Sequence, residues 1–266
     1  MSMMATARQR LDEALVSRSL VETRAKARAM VMAGDVLVDG QVAVAAGKPV
    51  GEHQEIALRE KQRFVSRGGE KLDHALNEFA INPAGLVCAD FGASTGGFTD
   101  CLLQRDAARV YGIDVGYGQL HERIRRDQRV VVMEKCNVRL LESLPEAIDL
   151  VVIDVSFISL RLVLPAAIRV LRPGGTVVPL IKPQFEAGRS EVGKGGVVRE
   201  SEVHIKVLRS VLGDAQSLEL APVGLTRSPI TGPAGNIEFL AHLMLGGEST
   251  PIDRMLAAAG FDHAPV

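Results

Sequence analysis

Leu86-Val-Cys-Ala-Asp90-Phe-Gly92-Ala-Ser-Thr-Gly96-Gly97-Phe-Thr99 begins as a short apolar run, ends that run on an acid, and loses its periodicity at three glycines before a helical pattern resumes. The pattern predicts a strand buried in a parallel sheet, a glycine turn and a helix start. Glycines suit a turn that a ligand must approach closely, and the free amides and dipole of the following helix favour a negatively charged or electron-rich group. A small-molecule cofactor is the expected tenant. A dinucleotide fingerprint laid from Gly92 puts Ser94 where its second glycine belongs, so the match to a pyrophosphate site fails there.

Working outward from this stretch, helix and strand alternate. A helix after Lys71 carries Leu72, Ala75, Leu76 and Phe79 on one stripe, which puts Lys71 at a helix start, where the dipole repels cations. Arg109 to Asp114 reads as a second strand, ending on an acid 24 residues after Asp90, a place that suits contact with ribose hydroxyls. Val130 to Met133 is a third strand with Asn137 after it, and Leu150 to Asp154 a fourth, followed by a helix through Leu164, Ala167, Ile168 and Leu171. Gly175 to Lys182 is a fifth, in which Pro179 predicts an irregularity near the end because proline cannot donate to a ladder. Residues 183–188 with 192–198 read as a mobile loop able to act as a lid, and a helix near 200–212, a strand near 219–225 and a last strand from Ile237 complete the chain. Strands that each end on a titratable group set a row of chemistry along one sheet edge. A doubly wound α/β sheet follows.

Ahead of this region the period differs. Leu11, Ala14 and Leu15 recur at helical spacing, Thr23 can cap a second helix ending at Gly34, and Val36 to Val44 alternates around Asp39-Gly40, a strong hairpin signal. Arg24 and Arg28 lie one turn apart, with Arg10 and Arg18 available from the first helix, a set that suits a phosphate backbone or simply a solvated face. Residues 59–71 hold 5 basic residues against 2 acidic ones and a glycine pair, which reads as an interdomain linker. The expected organisation is a front module over 1–58, a basic linker over 59–70 and a catalytic domain over 71–266.

Charge is distributed to match. Net charge is -1, but residues 1–71 hold 12 Lys and Arg against 9 Asp and Glu, while the remainder holds 19 against 23. A basic front and an acidic back fit an RNA-facing module ahead of an enzyme. The three cysteines, Cys88, Cys101 and Cys136, form no Cys-x-x-Cys pair, so buried thiols in a reducing compartment are expected and no metal site is suggested. No segment approaches the ~18 apolar residues of a membrane span, and a soluble, cytoplasmic protein is expected.

Specific residues sharpen this reading. Asp90-x-Gly92-x-x-x-Gly96-Gly97-Phe98-Thr99 resembles the first motif of class I S-adenosylmethionine methyltransferases, especially the ribose 2′-O-methyltransferases related to FtsJ. Arg10-Leu-Asp-Glu-Ala-Leu, Ser-Arg-Ser-Leu and Ala-Gly-Asp-Val-Leu-Val-Asp-Gly resemble an S4 RNA-binding domain over about 45 residues. Lys71, Asp154, Lys182 and Glu238 match in order the Lys-Asp-Lys-Glu tetrad of the FtsJ relatives. With Asp-Val-Gly-Tyr-Gly-Gln-Leu, Asp-Val-Ser-Phe-Ile-Ser-Leu, Lys-Pro-Gln-Phe-Glu and Gly-Asn-Ile-Glu-Phe, nearly the whole chain is similar to the TlyA family.

That resemblance implies a Rossmann-like, seven-stranded mixed sheet whose last strand is antiparallel, behind a small α+β S4 domain. It implies methylation of cytidine ribose 2′-hydroxyls in small- or large-subunit ribosomal RNA, and the family also carries an older haemolysin label. The cofactor would be S-adenosyl-L-methionine, contacted by Asp90, Gly92, Ala93, Ser94, Thr95, Gly96, Gly97, Phe98, Thr99, Asp114, Asn137 and Asp154. Arg10, Arg18, Arg24, Arg28, Arg63 and Arg67 would meet RNA.

The chemistry asks for these residue types. A ribose hydroxyl is a poor nucleophile, and a positioned base is typically worth about 10²- to 10⁴-fold. Burial and a neighbouring lysine favour a neutral amine, while carboxylates oppose that and hold the ammonium groups in place. Lys182 is the expected base, with Asp154 and Lys71 orienting it and the hydroxyl and Glu238 anchoring Lys71. Two other readings stand beside this one: an RNA-binding or ribosome-assembly factor on an idle methyltransferase fold, and a haemolysin-like toxin.

Overall fold

The computed structural model describes residues 8–58 and 63–261, and the chain divides between Gln62 and Arg63 into two compact units. In the first, β1 (Gln9–Arg10) leads into α1 (Leu11–Ser17), whose Leu11, Ala14 and Leu15 are fully buried. The Thr23 hydroxyl accepts the Lys26 amide at 3.2 Å and starts α2 (Arg24–Met32), which buries Ala27 and Val31. Next, β2 (Val36–Val38) and β3 (Gln41–Val42) pair antiparallel, Leu37 opposite Val42 and Val38 opposite Gln41. Asp39 at φ 52° and Gly40 at φ 77° supply the two left-handed residues that such a turn requires. Two pairings go beyond the hairpin: β4 (Pro49–Val50) joins β1, and β5 (Ile56–Leu58) joins β2. Strands this short carry too little alternation to be read in advance.

The second unit begins before the expected catalytic domain. Residues 59–62 of the anticipated linker lie outside the described residues, while 63–70 pack within this unit: Phe64 is buried, the Val65 amide donates to Asp100 Oδ2 at 2.8 Å, and α3 (Gly68–Glu78) has already started. The rest alternates as β6 (Val87–Phe91), α4 (Gly97–Gln104), β7 (Arg109–Ile113), α5 (Glu122–Arg125), β8 (Val130–Met133), β9 (Ile148–Ile153), α6 (Leu164–Val170), β10 (Leu171–Ile181), α7 (Pro183–Glu186), α8 (Ser201–Ser217), β11 (Leu220–Arg227), β12 (Phe239–Leu245) and α9 (Ile252–Ala258). These strands form one seven-stranded sheet in the order β11-β12-β10-β9-β6-β7-β8. β8, β7, β6, β9 and β10 run parallel, and β12 is antiparallel to both β10 and β11.

Both sheet faces are covered, which is why the parallel strands read as unbroken apolar runs. α3, α4 and α5 cover one face through Leu72, Leu76, Leu102 and Ile124, and α6, α8 and α9 cover the other through Leu164, Leu208, Leu212 and Leu256. Full burial of a leucine is worth roughly 1.5–3 kcal/mol, so Leu72 and Leu76 hold α3 against the sheet. Pro179 does not distort its strand as expected. The irregularity lies between Leu171 and Thr176, and Pro179 stays in register opposite Ile153. On the other side, pairing with β12 steps over Val178 and Pro179 and resumes at Leu180 opposite Leu240 without a shift.

Candidate functional site

The site follows from strand parity. Cys88, Val152, Val178, Leu180 and Leu240 face α3 and α4, whereas Ala89, Val151, Ile153, Val177 and Phe239 face the opposite layer. Side chains alternate along a strand, so Asp90, Asp154, Lys182 and Glu238, each two residues from a member of the first set, share the face from which α3 brings Lys71. Asp154 and Lys182 each follow the last residue of a strand directly, and Glu238 directly precedes β12.

These charges form two couples. Lys182 Nζ lies 2.6 Å from Asp154 Oδ1 and donates to Ser156 Oγ at 2.9 Å, its side chain 11 % exposed. Lys71 Nζ donates to Glu238 Oε2 at 2.5 Å, with both side chains buried. The lysine that is badly placed for its helix dipole is thus neutralised from the neighbouring strand end. The couples are adjacent. Ile181 stands opposite Phe239, so Lys182 and Glu238 are the next residues outward on paired strands, and a Cβ added to Gly68, three residues before Lys71, would lie 3.7 Å from Asp154 Oδ2.

Two hollows open beside this row. The smaller, of about 160 Å³, is bounded by Ser66, Gly68, Gly97, Phe98, Asp154 and Lys182. The larger, of about 430 Å³, lies beyond Gly92 and Ser94 and is bounded by Asp114, Asn137, Val138 and Ile158. Its volume suits a nucleoside-sized ligand. Asp114 accepts the Ser94 amide at 2.8 Å and the Gly116 amide at 2.6 Å, which fixes the carboxylate at the cleft wall with acceptor capacity to spare. Gly92 is required on two counts: φ is +89°, and a Cβ there would lie 2.5 Å from the Asp154 carbonyl oxygen. The hollow thus sets a carboxylate acceptor, Asp114, beside the apolar side chains of Val138 and Ile158.

Of the expected cofactor contacts, Gly92, Ala93, Ser94, Thr95, Gly97, Phe98, Asp114, Asn137 and Asp154 line one hollow or the other. Asp90, Gly96 and Thr99 do not. Asp90 is fully buried, and its Oδ2 accepts the Thr99 amide at 3.0 Å and the Thr99 hydroxyl at 2.7 Å, so it caps the first turn of α4 from below. Depth along the sheet explains this correction and the difference from Asp154: on the same face, Asp90 is in register with Val152, two residues short of Asp154, where α4 covers it. Burial pushes its carboxyl up to about 7, the Thr99 bonds opposing, and its Oδ1 is buried without a partner. Gly96, at φ +94°, is the N-cap of α4, and a Cβ there would lie 2.9 Å from Leu120 and 3.3 Å from Ile124.

The arginines divide. Arg10, Arg24 and Arg28 converge on the buried Asp12, whereas Arg18 is spent on the carbonyls of Gly51, Glu52 and Gln54. In the second unit Arg63 bonds Asp73 at 2.5 Å and Arg67 bonds the Thr231 carbonyl at 2.7 Å. Arg123, Arg125, Arg126 and Arg129, a further basic stretch, are paired with Asp100, Glu134, Glu122 and Asp127. Cys88 and Cys101 are buried thiols pushed up to about 12 by burial, and no metal-binding cluster occurs among the described residues.

Three contributors were not singled out from sequence. Ser156 holds Lys182. Asn236, buried, accepts the Val198 amide at 2.9 Å and donates to the Gly196 carbonyl at 2.8 Å, so the expected lid is tied down at its far end. Phe157 sits at φ 64°, a strained conformation for a bulky residue, with its ring 89 % exposed at the cleft rim and 4.9 Å from the Phe185 ring. The Val-Ser-Phe-Ile-Ser run could have flagged Ser156 and Phe157 as the residues following a strand end.

Comparison with known proteins agrees with this geometry. Residues 64–244 match the model for FtsJ-like methyltransferases and residues 9–56 that for S4 domains. The 16S/23S rRNA (cytidine-2′-O)-methyltransferase TlyA of Mycobacterium tuberculosis is 44% identical over 97% of this chain and 96% of its own length. Hemolysin A of Brachyspira hyodysenteriae is 40% identical over 89% of this chain and 100% of its own. Among solved structures, one described as a hemolysin from Streptococcus thermophilus aligns with a TM-score of 0.72 and 44% identity, covering 96% of each chain.

Proposed function

The chain belongs to the FtsJ-like methyltransferase family and, within it, to the TlyA rRNA methyltransferases, and on that premise we propose that it methylates the ribose 2′-hydroxyl of cytidines in ribosomal RNA. The methyl donor is S-adenosylmethionine, which supplies an electrophilic methyl group on a sulfonium. Gly92, Ser94, Asp114 and Asn137 hold the donor in the larger hollow, and the S4 domain engages the RNA in the cytoplasm, where ribosomes are made.

The observation that carries this reading is Lys182 Nζ, 2.6 Å from Asp154 and 2.9 Å from Ser156, at the mouth of the smaller hollow. In its unprotonated form Lys182 accepts the hydroxyl proton as the oxygen attacks. Asp154 and Ser156 aim the amine at that oxygen, and the charge then formed on Lys182 rests against the Asp154 carboxylate. Lys71, locked by Glu238, fixes the α3 edge of the hollow and orients the ribose. Alignment of oxygen, carbon and sulfur makes about 7–11 kcal/mol of the barrier available to positioning. The exposed Phe157 ring offers a stacking face for a base drawn out of its helix.

Lys182→Ala tests the assignment. Methyl transfer to rRNA should fall by about 10²- to 10⁴-fold while the heat of S-adenosylmethionine binding is unchanged. Retained turnover would remove Lys182 from the mechanism. A native chain that gives no binding heat would instead favour an RNA-binding factor on an idle fold.

A further inference from the structure

Asp12 is the one carboxylate of the first unit with no exposed surface among the described residues. Arg10 grips it with two prongs, Nε to Oδ1 at 3.0 Å and Nη2 to Oδ2 at 3.1 Å; Arg28 Nε donates to Oδ2 at 2.9 Å, and Arg24 Nη2 reaches the same oxygen at 3.4 Å. Its partners are the reverse of buried: the three arginine side chains are 47 %, 48 % and 55 % exposed. We propose that Asp12 is a positioning residue, a buried anion that gathers the guanidinium groups of Arg10, Arg24 and Arg28 into one fixed cluster for docking phosphodiester groups of ribosomal RNA. The proposal rests on the rRNA reading above.

Three observations favour this over a carboxylate that merely pins α1 to α2. One arginine suffices to neutralise a buried acid, and Arg10 already does so in bidentate form; the other two add positive charge that burial of Asp12 does not need. Glu13 takes Arg24 Nη1 at 3.1 Å, so two carboxylates face three guanidinium groups and the cluster keeps an excess positive charge. Finally, the exposed edges are held in place from behind. A Cβ on Gly47 would lie 3.0 Å from Arg10 Nη1 and 3.2 Å from its Nη2, so the Gly47 backbone backs the Arg10 guanidinium closely. The guanidinium bonds, that of Arg10 foremost and that of Arg28 next, hold the Asp12 carboxyl well below the usual carboxylate range despite its burial, so the organising charge persists at any working pH. Free arginines on a helix face repel one another and lose side-chain entropy on meeting a phosphate. Arginines already converged on an anion have lost that freedom beforehand, and their remaining N–H donors form a preset fork.

Asp12→Asn separates the two accounts because they predict opposite signs. The substitution adds a net positive charge, so charge alone predicts tighter RNA binding and a steeper dependence on salt. Positioning predicts an affinity for 16S and 23S rRNA transcripts about tenfold weaker, with a shallower salt slope as phosphate contacts are lost. Filter binding by the full chain from low to moderate salt reads both, and equal or tighter binding by Asp12→Asn overturns the proposal. Should that variant melt early, Arg28→Lys keeps the charge and loses the fork; weaker binding with an unaltered unfolding transition is expected, and native affinity overturns the proposal. The triple variant Arg10→Ala, Arg24→Ala and Arg28→Ala distinguishes the two levels of the argument. Lost binding there with unaltered binding in Asp12→Asn would leave the rRNA reading standing and remove the positioning role, whereas a native chain that binds neither transcript would remove both.

Discussion

Lys71 and Glu238 are 167 residues apart in the chain, meet at 2.5 Å, and have side chains only 9 % and 1 % exposed. Replacing Glu238 with Gln keeps the shape and deletes the charge, leaving a buried ammonium against a carboxamide. Removing one partner of a buried ion pair costs about 3–5 kcal/mol, a large share of the roughly 5–15 kcal/mol that holds a domain folded. In a unit of this size each kcal/mol moves the midpoint by about 2–4 °C, so Glu238→Gln should melt about 6–20 °C below the native chain. Scanning calorimetry reads that shift, and urea unfolding checks it. The partner experiment is Lys71→Met with Glu238→Leu. Exchanging a whole buried pair for apolar side chains is commonly neutral or stabilising, so the double variant should regain most of the lost stability. It should not regain methyl transfer. A melting point within a degree or two of native for Glu238→Gln would refute the buried-pair argument, and a double variant with native turnover would show that the pair serves the fold alone.

Asp114→Ala removes the acceptor at the cleft wall and leaves the Ser94 and Gly116 amides without their partner; S-adenosylmethionine affinity should fall about 10- to 100-fold by titration calorimetry, with RNA binding unaltered. Unchanged cofactor affinity would exclude Asp114 from the cofactor site. Asp90 predicts a pH dependence. Its folded carboxyl, pushed up to about 7 by burial, holds a proton more tightly than in the unfolded chain. The stability tied to that proton is complete below about pH 4 and lost as pH rises through 7, up to about 4 kcal/mol. Asp90→Asn should flatten the stability profile between these limits, and an unaltered profile would contradict the assignment.

The sheet was legible because β6, β7, β8 and β9 are largely apolar runs of four to six residues set off by charged or glycine-containing segments, and the hairpin because Asp39-Gly40 allows few other conformations. The tetrad was legible as four residues in order. The anchoring of Lys71 by Glu238 was expected too; what the sequence does not record is the means, the register that seats β12 beside β10 and so brings Glu238 to Lys71. Asp90 and Asp154 look alike in sequence, each closing an apolar strand, yet one supports the turn from inside and the other borders the hollow. The difference lies in whether α4 covers the side chain, which no local pattern records. Asp12 was hidden for a similar reason: a polar residue between Leu11 and Glu13 reads as solvated until Arg10 of β1 and Arg24 and Arg28 of α2 close over it. Residues 63–67 read as linker because their basic residues outweigh Phe64, whose burial assigns the segment to the second unit.

The most direct test of the account is nucleoside mass spectrometry of unmethylated 16S and 23S rRNA incubated with the native chain and S-adenosylmethionine. The account predicts 2′-O-methylcytidine with the native chain and its absence with Lys182→Ala. Methyl groups on a base, or 2′-O-methylcytidine undiminished in Lys182→Ala, would contradict it.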